Sequence, residues 1–82
     1  MNDDLYRTSD MAMVTYLRMN GHAVQNIVWD SSGYTAYWQF LKTESLIGAT
    51  DDFTSGRARV DPRMFNRDFA KTKAEFHNIS RK

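Results

Sequence analysis

Arg57, Arg59, Arg63, Arg67 and Lys71 place five cations within residues 57–71, a density suited to holding an anion. Guanidinium groups grip phosphate or carboxylate oxygens in pairs, and several on one surface reinforce one another. Arg63, Arg67 and Lys71 recur at i, i+4 and i+8, which sets them on one side of a helix. Arg57 and Arg59 stand just before that helix begins. The segment Gly56–Lys82 holds eight of the eleven Lys and Arg residues against three acids, a net charge of +5, whereas residues 1–55 carry −4. The formal total of +1 hides this split, which points to an anionic partner or to self-association. A solvated helix face is the ordinary explanation of such a charge row. Arg63 and Arg67 weaken it, because they fall in the N-terminal half, where the helix dipole favours anions.

Rings are the second resource. Tyr37 and Trp29 are the candidates for stacking on a base, an interaction worth about 1–3 kcal/mol per base. Trp38 and Phe40 read instead as core. Catalysis finds little support. His22 follows a helix end and His77 lies on a late helix turn, and neither belongs to a Ser–His–acid, metal or Gly-rich phosphate pattern. Asp3-Asp4 and Asp51-Asp52 are adjacent acids whose side chains diverge on a helix, without a third ligand at metal spacing. The expectation is a non-enzymatic protein with no metal and no cofactor.

The scaffold for these residues is small. A chain of 82 residues makes one domain, 1–82, with residues 1–5 expected to be flexible. Such a domain buries little core per residue and often leans on a second copy, so a homodimer or higher oligomer is expected. There is no cysteine, which excludes disulfides and thiolate metal sites. The start Met1-Asn2-Asp3-Asp4 is acidic and lacks the apolar stretch of a signal peptide. No apolar run nears the roughly 20 residues of a membrane span. The expected setting is the cytoplasm, without membrane contact.

Periodicity supplies the elements. Thr8-Ser9-Asp10 is a helix-start signal, and Ala12, Met13, Tyr16, Leu17 and Met19 share one face of a helix over about residues 9–20, with Thr15 and Arg18 opposite. Asn20-Gly21 ends it. Residues 23–29 and 34–41 read as strands of a hairpin around Asp30-Ser31-Ser32-Gly33. A two- or four-residue loop puts Ile27, Trp29, Tyr34, Ala36, Trp38 and Phe40 on the face that meets the helices. Val24, Asn26, Val28, Thr35, Tyr37, Gln39 and Leu41 then share the other, partly wet face. Thr43 caps a short helix over residues 44–54 that Ser55-Gly56 stops. Residues 57–60 form an extended link read as an edge strand. Asp61 caps the last helix with Pro62 at its first position. Phe65, Phe69, Thr72, Phe76 and Ile79 make its apolar stripe. The order is α-β-β-α-(β)-α: an α+β domain with helices on one face of a small antiparallel sheet.

Four pieces of the chain resemble a short domain family of bacteriophages and bacteria whose function is unknown. They are Tyr6-Arg7-Thr8-Ser9-Asp10 at the first cap, Leu17 followed by Asn20-Gly21-His22, Tyr37-Trp38-Gln39-Phe40, and Val60-Asp61-Pro62-Arg63-Met64-Phe65. The resemblance implies the same α+β order and a phage origin, in the host cytoplasm. It transfers no activity and no site residue.

Two readings of function follow. In the first, Arg57, Arg59, Arg63, Arg67 and Lys71 hold the phosphates of a nucleotide or nucleic acid while Tyr37 or Trp29 stacks. A phage protein of this kind would sequester a nucleotide immune signal or touch host nucleic acid, countering host defence. In the alternative, the same arginines meet carboxylates of a host protein whose surface is masked, or of a second copy in a dimeric assembly.

Overall fold

A computed structural model of the protein describes residues 4–78. The α+β architecture stands, with a three-stranded antiparallel sheet and three helices. The elements are β1 (Leu5–Thr8), α1 (Met11–Met19), β2 (Val24–Trp29), β3 (Ala36–Leu41), α2 (Glu44–Ser55) and α3 (Pro62–Asn78). Ile79, the last residue of the expected stripe, lies outside the described residues, as do Met1–Asp3, Arg81 and Lys82.

The third strand differs from expectation. It is β1, not the link 57–60, and it makes β3 the central strand in the order β1-β3-β2. Leu5-Tyr6-Arg7-Thr8 alternates correctly for a strand, but it is short and merges with the cap signal that follows. Leu5 pairs with Leu41, and the Asp4 carbonyl accepts from the Lys42 N–H at 2.7 Å, so two of the five residues expected to be flexible are tied to β3. The link takes another course because the end of α2 captures it. Gly56 is left-handed (φ 84°), and the N–H groups of Arg57 and Ala58 both reach the Asp52 carbonyl, at 2.8 and 3.0 Å. This is the six-to-one closure that satisfies a helix's last carbonyls. Those amides are then unavailable to a sheet.

The hairpin loop preserves the expected facing. The Asp30 N–H donates to the Thr35 carbonyl at 2.9 Å, which leaves four residues between them. Asp30 shapes the turn by accepting from the Ser32 hydroxyl and the Ser32 and Gly33 amides, which lowers its pKa, the hydroxyl contributing most. Ala36, Trp38 and Phe40 are buried against the helices. Two residues depart from the pattern. Tyr34 sits in the loop at 78 % exposure. Val24 pairs with Phe40 and packs on the core, because a bulge at Gln25 shifts the register between Val24 and Asn26. An extra residue of this kind flips every side chain before it.

The core joins Met13, Val14, Tyr16 and Leu17 of α1, Ala36, Trp38 and Phe40 of β3, and Leu46 of α2. Five consecutive residues of α1, Met13–Leu17, are buried, which a one-sided helix cannot achieve. Thr15 and Arg18, expected opposite the apolar face, are therefore on a side that is also covered. Helix α3 covers that side: Thr15 Oγ1 lies 3.0 Å from Thr72 Oγ1, and Arg18 binds the Glu75 carboxylate through both terminal nitrogens, at 2.8 and 3.1 Å. Among the described residues no helix is long and apolar enough to cross a membrane.

Candidate functional site

The last helix begins as its sequence dictates. Asp61 Oδ1 accepts from the Arg63 and Met64 amides at 2.9 and 3.4 Å, and its carbonyl accepts from the Phe65 amide. Pro62 occupies the first helical position, where a missing N–H costs no hydrogen bond. This fixes Arg63 in the first turn. Phe65 and Phe69 stack with ring centroids 6.0 Å apart, and Phe76 meets Trp38 and Trp29 at 6.1 and 5.5 Å. The phenylalanine side is thus docked, and Arg63, Arg67 and Lys71 remain exposed.

The five cations are not equivalent. Arg67 Nε lies 3.3 Å from Asp68 Oδ1, and Lys71 Nζ lies 4.0 Å from the same oxygen. Arg57 Nε pairs with Asp52 Oδ1 at 3.2 Å. Exposed pairs like these are worth about 0–1 kcal/mol and open readily. Arg59 and Arg63 have no acidic partner among the described residues. The unopposed positive charge therefore concentrates where the link enters α3.

An apolar cleft lies at the same place. Tyr16, Phe53, Gly56, Ala58, Val60 and Phe65 line a volume of about 230 Å³, floored by the Tyr16–Phe53 ring contact at 5.5 Å. Arg57 and Arg59 alternate along the link with the lining residues Gly56, Ala58 and Val60, and neither arginine lines the cleft itself. Val60 and Met64 are apolar yet 37 % and 46 % exposed. No sequence pattern marks this cleft, because α1, α2, the link and α3 each contribute one or two residues to it. The one available signal was Val60 and Met64 as apolar residues interleaved with arginines.

The stacking candidates separate. Trp29 lies on the helix side of the sheet against Phe76, and Tyr37 points to the opposite face. They cannot flank one ligand, and Tyr37 does not join the arginines of α3. What covers the Tyr37 ring is Arg7, whose guanidinium carbon sits 5.2 Å from the ring centroid. Arg7, Gln39 and Asn26 form a row across the three strands of that outer face.

The α1–α3 contact has its own electrostatics. The paired Arg18 bonds hold the Glu75 carboxyl below its ordinary range, and partial burial opposes them. The Trp38 indole N–H, buried and short of full hydrogen-bond geometry, adds a weaker pull in the same direction. Burial raises the Tyr6 hydroxyl pKa. Among the described residues no three His, Asp or Glu side chains converge on a point.

The chain belongs to a family described as a domain of unknown function (DUF5659), which matches residues 3–81. No curated protein and no solved structure matches it.

Proposed function

We propose that this domain is a non-catalytic binding module that takes an anionic partner on the surface where the 57–61 link enters α3. One observation carries the reading. Arg59 and Arg63 are exposed and lack an acid within the described fold, and Arg63 stands in the first helical turn, where a cation is electrostatically disfavoured. A residue that opposes the local field and gains no internal partner is explained by something outside the chain. Arg57, Arg67 and Lys71 extend the surface once the partner's anions displace Asp52 and Asp68.

Phosphates of a nucleotide or nucleic acid and carboxylates of a protein both fit this chemistry. A phage origin would make the partner a host molecule and binding a means of countering host defence. The test uses four labelled probes at low salt: a dT oligonucleotide, a cyclic dinucleotide, heparin and a polyglutamate peptide. Saturable binding that weakens with salt, and weakens further in Arg59→Glu/Arg63→Glu, is the expected result. Absence of binding by every probe at low salt refutes the proposal.

A further inference from the structure

Resting on the anion-binding reading, we infer that the partner is a protein, recognised through an acidic segment that places one bulky apolar side chain in the Phe53–Ala58–Phe65 cleft. Three observations favour this class over nucleic acid. Of the five cations of residues 57–71, two, Arg59 and Arg63, lack an acidic partner among the described residues, and the other three are paired with Asp52 or Asp68. A polyelectrolyte contact needs a longer run of unopposed charge. Second, the cleft's volume of about 230 Å³ falls below the usual small-molecule range of roughly 300–1,000 Å³, so it suits one side chain better than a nucleotide. Its lining is aliphatic and aromatic, with Val60 and Met64 continuing the apolar surface outward.

Third, the link offers backbone as well as side chains. The Arg59 and Val60 amides carry no hydrogen bond among the described residues. An extended segment lying along the link can meet these donors with its own carbonyls, as edge-pairing peptides do. Carboxylates before and after the anchor then reach Arg57, Arg59 and Arg63. An aromatic or large aliphatic anchor in a desolvated cleft, joined by arginine contacts, is the arrangement in which a few contacts carry most of an interface's affinity.

The experiment titrates full-length protein with a labelled acidic peptide bearing one central tryptophan. The comparisons are the same peptide with alanine in that place, and a labelled dT oligonucleotide. The tryptophan peptide should bind, and its alanine counterpart should bind roughly tenfold or more weakly, as loss of an aromatic anchor predicts. Val60→Asp, at an exposed position outside every helix and strand, should produce a similar loss while the fold is retained. Equal binding of the two peptides, both weakened by Arg59→Glu/Arg63→Glu, overturns the cleft anchor and leaves the anion-binding surface standing. Tighter binding of the oligonucleotide than of the tryptophan peptide overturns the choice of a protein partner. If peptides and oligonucleotide alike fail to bind, both readings fall.

Discussion

Toward its end, α3 directs Glu75 at the Arg18 guanidinium and Thr72 at the Thr15 hydroxyl; at its start, Arg59 and Arg63 meet no acid among the described residues. Both regions place polar side chains beside aromatic packing, and both belong to one continuous helix and its entry. In the first region the Arg18 charge is answered by Glu75 across the α1–α3 contact. In the second the charges stand beside an open apolar cleft. The difference separates two meanings of an arginine. Arg18 is half-buried, bidentate and part of the fold. Arg59 and Arg63 pair with no acid among the described residues, and the proposal assigns them to an outside partner.

Several substitutions sharpen or break that division. The largest effect belongs to the closed side. Leu17→Ala empties fully buried volume where α1 meets the rest of the core and should cost about 2–5 kcal/mol, a large fraction of the stability of so small a domain. Chemical denaturation of the variant checks this, and a loss under about 1 kcal/mol would mean that α1 is not held as described. Gly56→Ala tests the turn that carries the link to the cleft. No atom lies within 4 Å of an added Cβ, so the cost comes from the left-handed φ of 84° alone, about 1–2 kcal/mol. The same variant should loosen the link and weaken peptide binding, whereas Ala at Gly48, within α2, should do neither.

Glu75→Gln should cost about 1 kcal/mol, since the bidentate charge-assisted bond is partly exposed and screened. Its pH dependence has a definite sign. The folded-state pKa of Glu75 is depressed, so its contribution is present above the ordinary glutamate value of 4.5 and fades as pH falls through the lower folded value. Wild type should therefore lose stability in that acid window more steeply than Glu75→Gln. Parallel melting-temperature profiles for the two proteins would remove the Arg18–Glu75 pair from the account. The smallest effect belongs to the open side. Arg63→Glu replaces a cation in the first helical turn by an anion and should raise stability by about 0.3–1 kcal/mol. A measurable fall in melting temperature would assign Arg63 to the fold instead.

The elements with strong local signals were readable from the chain. Asp61-Pro62 opening α3, Thr43 capping α2 and the Gly56 stop are set by hydrogen bonds within a few residues, so the sequence displays them. What escaped depended on partners distant in the chain. β1 is defined by pairing with β3, the facing of Val24 by one bulged residue, and the burial of Thr15 by a helix that begins almost fifty residues later. The candidate site shows the same boundary. The row of cations was visible from spacing alone. Which of them are answered internally was not, because Asp52 reaches Arg57 only through the turn at Gly56. The separation of Tyr37 from the arginines and the cleft itself follow from how four segments meet.

The central claim is that the unanswered cations, and not basic charge in general, hold the partner. Two double variants change the net charge equally: Arg59→Glu/Arg63→Glu removes the free pair, and Arg67→Glu/Lys71→Glu removes the pair that Asp68 already answers. The decisive measurement is the ratio of their affinities for the acidic tryptophan peptide. The account predicts that the first variant binds at least several-fold more weakly than the second. Equal losses, or a greater loss in the second, would contradict it.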